Sequence, residues 1–313
     1  MSVASVNKAL ASLSLLGDSV LDRRVGQVEK ELVRIYRENQ KAIRKILAEI
    51  YAKFGSDVTF SEMQKFNRLS KVEAELTAAL KGLGVKTRQR IRKAVGEVFE
   101  RQYYIAGYEE ELIGINAGFG GLSEDVIKAN IVNPMDLIKW PTRNTRNIAL
   151  LNGRIRDRLA EGLIQGYGYQ KTSRLLREEI DRTMFETLRI VRTEGQRAKS
   201  AAKNIAQQKI FSKANRLGID LEKVWDATRD GRTRPEHRGL DGRVANENGQ
   251  WIFSNGIVTS GPALSGNAKM DIHCRCFVRT QIAGASEGFE PETIREFGVW
   301  AKDKGIKAGF NVN

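Results

Sequence analysis

A chain of 313 residues with 41% hydrophobic side chains, 29% charged side chains and only five prolines has a globular composition, suited to two domains or to one with appendages. No window approaches 18 uninterrupted apolar residues, and two cysteines cannot staple a chain this long. A membrane-spanning helix and a disulfide scaffold are therefore excluded. The net charge of +14 is uneven: residues 141–216 carry 17 basic and 7 acidic side chains, whereas 217–313 carry 13 of each.

The first apolar run, Ala9 to Leu16, faintly resembles a signal sequence. It has one preceding Lys and no clear small-residue cleavage site, so a short amphipathic helix is expected, in a protein that folds in a reducing cytoplasm with both thiols free or metal-bound. From Val25 the apolar positions Val28, Leu32, Ile35, Ala42 and Ile46 step by threes and fours, a helical stripe ending near Phe54-Gly55. Asn39 interrupts it, either fixing register against a partner helix or sitting at the stripe's edge. Ser61-x-x-Gln64 reads as a capping box. Residues 69–80 and 86–111 continue the helical pattern, with Tyr103, Tyr104 and Tyr108 as packing residues. Four glycines in Gly114–Gly121, then Pro134 and Pro141 around Trp140, mark a break near 115–140.

Ile148, Leu151, Ile155, Leu159 and Leu163 form another stripe, and Gly166 and Gly168 turn the chain into an antiparallel helical hairpin. Thr183-x-x-Glu186 reads as a second capping box, opening a helix that runs to about residue 216 before Gly218. At about 100° per residue, Met184, Leu188, Val191, Ala198, Ala202 and Ile205 share one arc of this helix. Arg182, Arg189, Arg192, Lys199 and Lys203 share another, which contains no carboxylate of the same helix. Such a stripe can follow phosphates without reading sequence, so these five are the candidate DNA-binding residues. An acidic protein partner, or a merely solubilising face, explains the same charge.

After Gly218 the texture changes. Val224-Trp225-Asp226 reads as a strand and Arg229-Asp230-Gly231 as a turn. Asn248-Gly249 between Val244 and Trp251-Ile252-Phe253 reads as a hairpin, and Cys274–Ile282 as a closing strand. In the Gly-rich tail after residue 283, Pro291 is placed to begin a short helix.

Both histidines and both cysteines fall within residues 237–276. In extended chain Cys274 and Cys276 point the same way and can share zinc, with His237 as third ligand and Asp226 or Asp230 as fourth. His273 would point away. Cys-x-Cys is shorter than the usual zinc knuckle, and buried thiols beside hydrogen-bonded histidines are the preferred plainer reading. On that reading Arg234 bonds backbone carbonyls, His237 bridges to a carboxylate, and together they pin the loop. A disulfide between neighbours this close suits the S–S torsion badly. A metal-dependent nuclease or toxin-like hydrolase, with His237 as base beside Asp230, Glu236 or Asp241, is the catalytic alternative; no Gly-x-Ser-x-Gly, phosphate loop or His-Glu-x-x-His supports it.

Trp225, Asp230-Gly231-Arg232-Thr233-Arg234, His237, Asp241-Gly242 and Cys274-Arg275-Cys276, in that order, resemble the Mu F-like phage head morphogenesis domain of minor head proteins. Arg192-Thr193-Glu194 and Gly162–Gly166 match the same pattern, and the resemblance covers roughly residues 140–283. The chain has His273 where the family often has Asn. The resemblance implies a structural, non-enzymatic protein of a tailed phage or prophage, located in the virion inside the head at the portal vertex. Its implied partners are the portal protein, double-stranded DNA bound non-specifically, and scaffold or major capsid protein; its roles are head assembly and DNA packaging or ejection. The expected fold is mostly α: an elongated helical body followed by a small α+β module with a short antiparallel sheet. The expected division is an N-terminal helical region (1–140), a basic hairpin and long helix (141–218), the Mu F-like module (219–283) and a tail (284–313).

Overall fold

The computed structural model describes residues 2–55, 58–284, 295–307 and 309–310. Three long helices dominate: α1 (Val3–Phe54), α3 (Arg68–Ile113) and α6 (Tyr169–Arg216). Shorter helices α2 (Phe60–Gln64), α4 (Glu124–Asn130) and α5 (Trp140–Ile164) separate them in sequence. The expected short N-terminal helix and the stripe from Val25 are one element, α1, whose heptad-like burial begins at Val6 and Leu10. It stops at Gly55, which takes φ +88°, open to glycine at little cost. The cap of α2 is Thr59, two residues before the expected Ser61: its hydroxyl accepts from Glu62 N–H while the Glu62 carboxylate accepts from Thr59 N–H. Thr183 caps nothing. It lies inside α6, where its hydroxyl donates to the Glu179 carbonyl one turn back, a bond that satisfies a buried threonine within a continuous helix.

The chain divides into two compact units. One comprises residues 1–26, 94–137 and 192–313; the other comprises 27–93 and 138–191. The second unit has an all-helical core built by Tyr36, Ile43 and Leu47 of α1, Leu76, Leu80 and Leu83 of α3, Ile148, Leu151, Ile155 and Leu159 of α5, and Leu176 and Ile180 of α6. Asn39, half-buried, donates to the Ala79 carbonyl at 2.9 Å, so the interruption in the stripe reaches the backbone of α3. Tyr36, also in this unit, shares a 2.7 Å hydrogen bond with the Thr187 hydroxyl.

In the first unit Tyr103, Tyr104 and Tyr108 are buried, as expected of packing residues. Gly107 lets Phe119 lie against α3: a Cβ there would stand 2.5 Å from the ring. The expected helix start at Pro291 lies outside the described residues; a described tail helix, α9 (Phe297–Asp303), buries Phe297 and Trp300, and the Trp300 indole donates to Glu110 at 3.1 Å.

Also in the first unit, β1 (Leu221–Asp226) pairs antiparallel with β4 (Phe277–Ile282), placing Trp225 opposite Val278. Between them run α7 (Pro235–Arg238), β2 (Trp251–Ile252), β3 (Val258–Thr259) and α8 (Ala268–Asp271). The chain does turn at Asn248-Gly249, where Gly249 has φ +69° and donates to the Asn246 carbonyl. The expected strand partners are exchanged, however. Trp251–Ile252 pairs with Val258–Thr259, and Val244 bridges to Val224. The side-chain reason is that Trp251 and Phe253 point into the core around Trp225. Cys274–Cys276 precedes β4 and is not part of it.

Candidate functional site

Two sets of sequence candidates are placed very differently. On α6, Arg182 and Arg189 of the second unit are exposed, and so is Arg192 of the first. Lys199 and Lys203 are not: they are 4% and 5% exposed. Lys199 donates to Asp18 and Asp22 of α1 at 2.6 and 2.7 Å. Lys203 is bonded to the buried Glu109 of α3, which also accepts from Ser14 and from Thr280. Both lysines are thus removed from the exposed basic stripe. Helical angle alone puts them on the correct face of α6 but is blind to carboxylates on other helices. Burial lowers the affinity of Lys199 for its proton, yet the two aspartates outweigh it and hold its pKa above the ordinary lysine value. Burial raises the pKa of Asp18, with Lys199 opposing.

Within the second unit the exposed basic residues of α6 are arranged otherwise than expected. Lys171, Arg174, Arg182 and Arg189 are all exposed and fall within about 80° of one another around the helix. Phe185, 66% exposed, lies among them, and Glu178 is the acidic side chain on that face.

The small module of the first unit gathers the other candidates. Trp225 is fully buried and meets His237, Trp251 and Phe253 edge-on, while the His237 ring stacks on Phe253 at 5.0 Å. This packing aims His237 Nδ1 at two sulfurs: Cys274 Sγ lies 3.6 Å away and Cys276 Sγ 3.5 Å. The three ligand-capable atoms lie within 4.8 Å of one another and all three residues are buried. His237 therefore faces thiols and not a carboxylate. Asp226 and Asp230, the expected fourth ligands, are engaged elsewhere: Asp226 pairs with Arg279 at 3.0 Å and Asp230 with Arg275.

The surrounding polar bonds hold this cluster in shape. Asp230 takes both Arg275 nitrogens, at 2.5 and 2.7 Å, and also accepts from Arg232 N–H and the Thr233 hydroxyl. The Arg275 carbonyl accepts from the Thr228 hydroxyl at 2.7 Å, and the Cys276 carbonyl from Gln196 of α6 at 2.6 Å. Arg234 donates to the carbonyls of Met270 and Ile272, as expected for an arginine that pins a loop. Asp241 accepts from Ala227 N–H and from Arg229. His273, with φ +59°, turns the backbone into the Cys-Arg-Cys segment. A hydrogen bond from Cys274 draws the Cys276 thiol down to about 5, with burial opposing and His237 assisting. The same bond and burial push Cys274 well up. Gln196 and Thr228 had no sequence signal as supports, because their role is to bond backbone that only the fold brings near.

The comparisons with known proteins agree with this order of features. The family model described as Phage Mu protein F like protein matches residues 153–279, from within α5 to within β4. The chain is 29% identical over 266 residues to the minor head protein GP7 of Bacillus phage SPP1, a match spanning 83% of each protein. It is 28% identical over 294 residues to a protein of Enterococcus faecalis named NAD(+)–arginine ADP-ribosyltransferase EFV, spanning 89% of this chain and 58% of that protein. No solved structure matches significantly. Residues 153–279, the stretch that holds the hairpin, the arginine-pinned loop and the Cys-Arg-Cys segment, match the Mu F-like family model, and the chain is similar over most of its length to a phage minor head protein.

Proposed function

We propose that this chain is a minor head protein of a tailed phage or prophage, carried in the virion at the portal vertex and active in head morphogenesis. The observation that carries the reading is the likeness to minor head protein GP7, which extends over 83% of both chains and so far beyond the Mu F-like region alone. The portal protein, and scaffold or major capsid protein, are the partners this reading requires. Non-specific contact with packaged duplex DNA is supported by Lys171, Arg174, Arg182 and Arg189, which put positive charge on one exposed helical face. Peptide mass spectrometry of purified particles tests the central reading. The polypeptide is expected in gradient-purified heads, in fewer copies than the major capsid protein. Heads that lack it would overturn the reading.

A second reading, transfer of ADP-ribose to arginine, draws on the enterococcal relative. The chain spans 58% of that protein, and the activity in that protein's name belongs to its whole length. Incubation with labelled NAD+ and an arginine acceptor separates the two: no transfer is expected from a head protein. The nuclease alternative is tested beside it. Duplex DNA is expected to survive incubation with the protein and a divalent metal, and cleavage lost in His237→Ala would favour catalysis instead.

A further inference from the structure

We propose that His237 Nδ1 and the sulfurs of Cys274 and Cys276 form a binding site for a single zinc ion. The two nitrogen–sulfur edges of the cluster are those such an ion requires, and all three atoms lie within 4.8 Å of one another. Zinc–sulfur bonds of about 2.3 Å and zinc–nitrogen bonds of about 2.0–2.1 Å, meeting at a tetrahedral angle, put sulfur and nitrogen about 3.6 Å apart. The two nitrogen–sulfur separations here are 3.6 and 3.5 Å, so each sulfur stands where a zinc-bound sulfur would stand relative to Nδ1. Imidazole and thiolate are the ligand types zinc prefers, and neither hard-cation oxygen chemistry nor a fourth His, Cys, Asp or Glu joins them among the described residues. The fourth corner is left to a solvent-derived ligand.

The His237 ring is oriented toward the site: Nδ1 faces both sulfurs, whereas Nε2 is buried without a hydrogen-bond partner among the described residues. The ligands are also held from outside. Arg234 fixes the carbonyls at 270 and 272, Asp230 fixes Arg275, and Phe253 stacks the imidazole. Support of this kind around ligands sets their orientation and tunes affinity. The site ties α7 to the segment before β4, two pieces of chain that are nearly 40 residues apart, and its role is structural within the module.

The test uses the full chain purified without immobilised-metal chromatography. Elemental analysis is expected to find one zinc per chain, and the stripped protein to take zinc back in competition with a chromophoric chelator. Cobalt substitution is expected to give the intense visible bands of tetrahedral coordination with a sulfur-to-metal charge-transfer band. Both signals should vanish in Cys274→Ser/Cys276→Ser, and His237→Cys, which replaces nitrogen by a third sulfur, should keep the cobalt spectrum. A folded wild-type chain that neither contains zinc nor competes for it would overturn the assignment, and so would undiminished binding in the double serine variant. None of these readouts involves a phage particle, so they stand or fall separately from the head-protein reading.

Discussion

Lys203 and Glu109 meet as an ion pair in the interior of the first unit, the lysine almost wholly and the glutamate wholly withdrawn from solvent. The carboxylate has further donors in Ser14 and Thr280, which complete its shell. Such a pair contributes little net stability relative to a well-packed apolar pair, but its half is costly, because removing one charge strands the other in a medium that cannot solvate it.

Lys203→Met is therefore expected to destabilise the protein by about 3–5 kcal/mol. Lys203→Met combined with Glu109→Gln removes both charges; the amide oxygen can accept from one of the Ser14 and Thr280 hydroxyls and the amide nitrogen can donate to the other, so the double change should recover most of the loss. Denaturant midpoints for the two variants decide it. A double variant as unstable as the single one would show that the pair is not what holds this region.

The relocated basic face gives a discriminating experiment on DNA. Arg182→Glu with Arg189→Glu should weaken duplex binding and flatten its dependence on salt, by about one unit of log–log slope for each phosphate no longer neutralised. Lys199→Gln should leave affinity and slope unchanged, because Lys199 is enclosed by Asp18 and Asp22. Equal effects from the two changes would contradict this placement of the charge.

Tyr36 supplies a pH dependence. Burial raises its hydroxyl above the ordinary tyrosine range, and the bond to Thr187 only partly offsets this. Unfolded tyrosine ionises near about 10. Below that pH both states keep the proton and the contribution is complete. Above it the unfolded chain gives up a proton that the folded chain retains, so stability is lost as pH rises toward the folded value. Tyr36→Phe should lower stability by about 1 kcal/mol at neutral pH, through loss of the hydroxyl bond, and make the alkaline decline shallower. Melting temperatures of the two proteins between neutral and strongly alkaline buffers measure both effects.

Two glycines within α3 should respond in opposite directions to the same change. At Gly107 a methyl group would collide with the rigid Phe119 ring, and Gly107→Ala should cost about 1–3 kcal/mol. At Gly82 a methyl group meets nothing within 4 Å, and Gly82→Ala should stabilise by about 0.5–1 kcal/mol through helix propensity. Thermal melts of the pair test whether Phe119 packs as described.

What the amino-acid pattern reveals here depends on whether its cause is local. The stripe through Ile148, Leu151, Ile155 and Leu159 and the glycine turn at 166–168 were legible, because side chains three and four apart share a face whatever lies opposite. The clustering of His237 with Cys274 and Cys276 was legible as a set of chemical types, but its Asp226 and Asp230 additions were not correct, since only the fold shows Arg279 and Arg275 claiming those carboxylates. Capping motifs misled where they stood alone. Thr183-x-x-Glu186 has the letters of a helix start, yet the helix packing on both sides of it carries the chain straight through. The lysine stripe failed for the same reason: its neutralising charges are about 180 residues away for Lys199 and nearly 100 for Lys203.

Asp18 and Asp22 lie one turn apart on α1, and both bonds to Lys199 come from a single ammonium. Apolar side chains alone would let two long helices slide past each other by a turn at small cost, since one leucine replaces another. Here a slip by one turn would leave the buried ammonium with one of its two carboxylates and strand the other, so the alignment that joins all three charges is favoured. The lysine works as a notch that assembly must find, and a chain built mainly of long helices has particular need of one.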